Sequence, residues 1–92
     1  MNGKVVLITG ASSGIGRSTA EKLLNKGYIV YGAARTEEKL KYLNEYPDGH
    51  YQIMDITDAE MRKNCVNQIV AAEGKIDILI NNAGYGSFGS VE

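Results

Sequence analysis

The run Thr9-Gly10-Ala11-Ser12-Ser13-Gly14-Ile15-Gly16 joins a short apolar stretch to a helical pattern, and its composition suits the holding of a phosphate. A helix N-terminus offers unpaired N–H groups and about half a positive charge, so an anion docks there if the backbone can come close. Gly10 allows the tight turn, Gly14 removes a Cβ where a pyrophosphate would approach, and Gly16 lets the helix pack against a sheet. Ser12 and Ser13 add hydroxyl donors, and Ile15 completes the loop. The spacing is Gly-x-x-x-Gly-x-Gly rather than Gly-x-Gly-x-x-Gly, and no Gly-Lys-Ser/Thr follows, so the loop is not a P-loop. Glycine-rich turns also occur for packing alone. The position between strand and helix favours a dinucleotide site.

The end of the second apolar stretch bears on which dinucleotide. An NAD site places Asp or Glu there to accept from the ribose 2′-OH. Here the residues are Ala33 and Ala34, followed at once by Arg35. A guanidinium pairs with a 2′-phosphate, and no carboxylate repels it, so NADP is expected over NAD. The plainer alternative is a solvated arginine paired to Glu37 or Glu38. Arg17, in the first helical turn, is expected to face solvent.

Other chemistries find little support. One cysteine and one histidine exclude an internal disulfide and a Cys/His zinc cluster, so no metal site is expected. His50 stands alone at a strand start, and Cys65 falls on an apolar helix face, where packing is the expected role. Ten basic against eleven acidic side chains give a net charge of −1, which argues against a nucleic-acid or anionic-membrane partner. No apolar run approaches the roughly 18 residues of a membrane span, and a cytoplasmic location is expected.

These residues need a frame to hold them. Lys4–Thr9 reads as a strand buried on both faces, and Tyr28–Ala33, His50–Asp55 and Ile76–Asn81 as three more. Between them the period changes to that of helices. Gly16, Ala20, Leu23 and Leu24 share one face of the first helix, with Gly27 as its terminator. Thr36 is expected to cap a second helix carrying Leu40 and Leu43, ended by Pro47-Asp48-Gly49. A capping box, Thr57-x-x-Glu60, opens the third, whose face is Met61, Cys65, Ile69 and Ala72 and whose end is Gly74. The order β-α-β-α-β-α-β predicts a Rossmann-type, three-layer α/β/α fold: a partial parallel sheet of four strands in the order 3-2-1-4, with three helices.

Thr9-Gly10-x-x-x-Gly14-x-Gly16, Asp55-Ile56-Thr57 after the third strand and Asn81-Asn82-Ala83-Gly84 after the fourth together resemble the short-chain dehydrogenase/reductase family. The resemblance runs from Lys4 to Glu92. Tyr31-Gly32-Ala33-Ala34-Arg35 and Asn82-Ala83-Gly84-Tyr85-Gly86 are most similar to its 17β-hydroxysteroid and retinol dehydrogenase-like branch. It implies that Asp55 accepts from the adenine amino group with the Ile56 backbone beside it. It also implies that Asn82, Ala83 and Gly84 lie along the nucleotide ribose with Asn81, and that Ser13 and Arg35 hold the 2′-phosphate.

The family's catalysis pairs a tyrosine with a lysine four residues on, the lysine lowering the tyrosine pKa. None of the six tyrosines has that partner; Tyr31 and Arg35 come nearest, across a strand end. Ser87 and Ser90 read as loop residues, so no catalytic residue is assigned. Residues 1–92 are thus expected to be the N-terminal part of an NADP-binding domain whose catalytic portion lies elsewhere. The implied whole is an oxidoreductase passing hydride between NADP(H) and a secondary alcohol or ketone. A stand-alone nucleotide-binding module and a truncated product are the alternatives. In the sheet order 3-2-1-4, whichever reading holds, Asp77–Ile80 is expected to form an open apolar edge that invites self-association.

Overall fold

A computed structural model describes residues 3–12 and 14–81. Ser13 and the site candidates Asn82, Ala83 and Gly84 lie outside the described residues, as do Tyr85, Ser87 and Ser90. The elements are β1 (Val5–Thr9), α1 (Gly14–Asn25), β2 (Ile29–Ala34), two 3₁₀ turns (Glu37–Lys39 and Lys41–Glu45), β3 (Gly49–Ile53), α2 (Ala59–Glu73) and β4 (Ile78–Asn81). All pairings are parallel and the strand order is β3-β2-β1-β4, as the alternation of elements predicts.

Strand periodicity sorts the core into two layers. Val6 and Ile8 of β1 pack with Ala11, Ala20, Val30, Leu40, Tyr42 and Leu43 on the α1 face. Val5 and Leu7 point the other way, into Tyr31, Ala33, Met54, Cys65 and Ile69 on the α2 face. The central strand β1 is buried over its whole length, which is why it reads as a continuous apolar run.

The expected second helix is not an α-helix. Its bonds run from each N–H to the carbonyl three residues back: Leu40 to Glu37, Leu43 to Leu40, Tyr46 to Leu43. Leu40 and Leu43 are both fully buried. Residues three apart eclipse on a 3₁₀ turn, so this winding brings both leucines onto the sheet. Thr36 makes no side-chain cap bond there.

The start of α2 also departs from the capping-box pattern. Asp58, not Thr57, is the N-cap, its carboxylate accepting from the N–H groups of Glu60 (3.0 Å) and Met61 (3.2 Å). Thr57 is engaged elsewhere: its N–H (2.9 Å) and hydroxyl (2.7 Å) both donate to Asp55 Oδ1. Cys65 and Ile69 bury as expected, Met61 is half-buried, and Ala72 is exposed. Gly27 and Gly74 end the two helices with positive φ.

β4 begins two residues later than its hydropathy suggests. Asp77 serves as a clasp instead, its carboxylate accepting from Val5 N–H at 2.8 Å and pairing with Lys75 at 3.1 Å. Among the described residues β4 is the edge of the sheet next to β1, with Leu79 63% exposed.

Candidate functional site

In a parallel sheet every strand ends on the same side, so the loops that follow β1, β2 and β3 gather there. The order β3-β2-β1-β4 reverses direction at β1, which opens a crevice between the carboxyl ends of β1 and β4. Thr9 and Asn81, paired in register, span it with a 2.9 Å bond from Thr9 Oγ1 to Asn81 Oδ1. Beneath this point, on the α2 face, a cavity of about 150 Å³ is lined by Leu7, Thr9, Met54, Ile56, Leu79 and Asn81 among others.

The glycine turn starts where β1 stops. Gly10 has φ of +70°, a left-handed conformation that side chains resist, and its N–H donates to Ala33 O at 2.8 Å. Ala11 N–H reaches the same carbonyl at 3.4 Å, so the turn is docked on the end of β2. Ala11 is fully buried, Ser12 is half-buried, and α1 begins at Gly14.

The glycines then divide by task. Gly16 is buried in the helix–sheet contact. A Cβ built on Gly14 would meet no atom within 4 Å, so the space beside the helix start is open. Ile15, beside it, is 74% exposed. The first turn of α1 holds no acidic side chain, so its positive dipole end is not neutralised from within. Backbone, open space and charge here fit an anionic ligand such as a dinucleotide pyrophosphate.

Arg35 follows β2 directly and is exposed. It forms no ion pair with Glu37 or Glu38; Glu37 instead accepts from the Tyr51 hydroxyl at 2.7 Å. Arg17 is exposed, as expected; its guanidinium pairs with Glu21 at 3.3 Å and lies over the Tyr42 ring, 4.5 Å from its centroid. Asp55 and Ile56 follow β3. The Thr57 hydroxyl and N–H hold the Asp55 carboxyl below the usual carboxylate range, and Arg35 adds to this, so Asp55 is ionised at neutral pH. Gly10, Ser12, Gly14, Ile15, Gly16, Arg35, Asp55 and Ile56 therefore lie at the carboxyl ends of three adjacent strands.

The remaining chemistry-bearing residues have structural partners. Tyr31 donates to Glu73 at 2.6 Å and stacks on His50 with centroids 4.6 Å apart. Burial, reinforced by Glu73, pushes the Tyr31 pKa to about 12, the wrong direction for proton exchange near neutrality. Cys65 is buried and its thiol pKa is raised by that burial. Among the described residues no group of three or more His, Cys, Asp or Glu could hold a metal ion. None of their helices is long and apolar enough to cross a membrane. Sequence reasoning missed Tyr42, whose hydroxyl donates to Ala11 O at 2.8 Å inside the protein. Its neighbours Leu40 and Leu43 were legible as an apolar stripe, but no local pattern marks which backbone atom a tyrosine will meet.

With this geometry in hand, the likeness to known proteins is specific. The family model for short chain dehydrogenases matches residues 4–92, and the chain belongs to the short-chain dehydrogenase/reductase family. A 3-ketodihydrosphingosine reductase from Bacteroides thetaiotaomicron is 38% identical, over 100% of this chain and 32% of its own length. A short-chain dehydrogenase from Streptomyces avermitilis superposes with a TM-score of 0.83 at 41% identity, covering 90% of this chain and 31% of that one. An actinorhodin polyketide ketoreductase solved with NADPH gives a TM-score of 0.81 at 34% identity, over 89% and 33%. The chain thus spans about a third of the length of each.

Proposed function

We propose that residues 1–92 are the N-terminal, NADP-binding portion of an oxidoreductase that transfers hydride between NADP(H) and a secondary alcohol or ketone. The carrying observation is Arg35, exposed at the end of β2, unpaired with either nearby glutamate, beside a helix start with open space and no acidic side chain. In this reading Gly10, Ser12, Ser13, Gly14, Ile15 and Gly16 cradle the phosphates, with Arg35 and Ser13 on the 2′-phosphate. Asp55 accepts from the adenine amino group, through Oδ2, the oxygen Thr57 does not use, with Ile56 beside it. Asn82, Ala83 and Gly84 follow β4 along the ribose. NADP(H) supplies the hydride chemistry, and the proton-transfer residues belong to the part of the relatives this chain does not span.

The NADPH named with the ketoreductase and the ketone named with the Bacteroides reductase support this reading, the latter also pointing to a lipid-like substrate. The test is titration with NADPH and NADH, followed by fluorescence. Arg35→Asp should weaken NADPH at least about tenfold more than NADH, the worth of a lost charge-assisted bond. Equal losses would overturn the phosphate pairing, and a wild-type chain that binds neither would overturn the cofactor reading.

A further inference from the structure

Beyond Arg35, the connection between β2 and β3 places no residue in the proposed site, yet three of its residues are buried: Leu40, Tyr42 and Leu43. They share a core cluster with Ala11 of the glycine turn, and both leucines lie over Gly32 of β2. Leu43 Cδ1 occupies the space a Cβ on Gly32 would fill, 2.6 Å from it, and the Ala11 Cβ lies 2.9 Å from the same point. Ala11 and Leu43 therefore lie together over Gly32. The Tyr42 hydroxyl then donates to the Ala11 carbonyl at 2.8 Å, and the Arg17 guanidinium lies over the same ring. One aromatic side chain thus touches both the turn and the first turn of α1, on either side of Gly14.

We propose that Tyr42 is a positioning residue for the cofactor: by holding the Ala11 carbonyl it fixes the direction of the Ser12 N–H in the phosphate turn. The step is one of peptide geometry. The Ala11–Ser12 peptide is planar and trans, so its C=O and N–H point in opposite directions, and fixing one fixes the other. Burial pushes the Tyr42 pKa to about 12, so the hydroxyl remains a donor at neutral pH. This role rests on the dinucleotide reading above, and it predicts an effect on phosphate binding common to both coenzymes, unlike that of Arg35.

The test is coenzyme affinity and thermal stability of the full natural chain carrying Tyr42→Phe, which keeps the ring and the Arg17 contact. Affinity for NADPH and NADH should fall by the same factor, about three- to tenfold for one neutral hydrogen bond, leaving their ratio unchanged. Gly32→Ala, whose Cβ would press on both Leu43 and Ala11, should lower both in the same way. Tyr31→Phe removes a tyrosine hydroxyl bond on the α2 face and should leave both unchanged. A lower Tm with unaltered affinity in Tyr42→Phe, or a chain that no longer folds, would make the contact structural and overturn the proposal. A change in the NADPH-to-NADH ratio would also overturn it. Wild-type protein that binds neither coenzyme removes this role together with the cofactor reading, whereas binding untouched by Tyr42→Phe removes this role alone.

Discussion

On the α1 face the backbone of the glycine turn is fastened from below: two buried leucines and a tyrosine hydroxyl meet it, and Ala11 has no solvent exposure. On the α2 face the helix reaches the sheet through Cys65 and Ile69 and one surface-linked bond from Tyr31 to Glu73. Beside it a cavity of about 150 Å³ and the exposed side chains of Val66, Val70 and Leu79 leave apolar surface towards β4. Among the described residues the α1 face is closed around the glycine turn. The α2 face, next to β4, is more open. The two faces thus differ in how fully their apolar side chains are covered.

Leu43 carries the largest expected effect. Leu43→Ala removes a fully buried side chain from beneath the turn and should cost about 2–5 kcal/mol in urea unfolding, with a loss of coenzyme affinity accompanying it. A loss under about 1 kcal/mol would show that the α1 face is as loosely packed as the other.

Asp77 lies where the two faces meet, at the start of β4. Its carboxyl is held below its ordinary range by the Val5 N–H first and by Lys75 second. A folded-state pKa below the unfolded one gives stability that is present above the unfolded value and lost as pH falls through the folded one. Asp77→Asn should therefore be less stable than wild type at neutral pH, and the two should converge below about pH 4. Parallel curves across that range would mean the clasp does not depend on charge.

The smallest expected effect on folding is at the edge. Leu79→Lys replaces a 63%-exposed side chain and should shift stability by under about 0.5 kcal/mol. If the β4 edge mediates self-association of the 92-residue chain, as its apolar run suggests, the same change should favour the monomer in sedimentation velocity. Identical sedimentation of variant and wild type would remove that edge as the contact.

The sequence alone carried the parallel sheet and its strand order. Those follow from period, alternation and glycine placement, and short-range sterics set all three. It also carried the positions of Gly10, Arg35 and Asp55 at strand ends, since a residue's place along a strand is a matter of counting. Two features depend on contacts made in the folded chain. The winding of residues 37–45 depends on a sheet surface that takes Leu40 and Leu43 together, and their spacing of three was equally readable as one face of an α-helix. The bond from Tyr42 to Ala11 joins residues 31 apart in sequence. The choice of Asp58 over Thr57 as cap is by contrast local: Asp55, two residues earlier, accepts from the threonine hydroxyl and leaves the cap position to Asp58. Local patterns report what a segment can form by itself. Which of two near-equal local choices is taken, and which polar atom a buried hydroxyl meets, is set by contacts that exist only once the strands have paired.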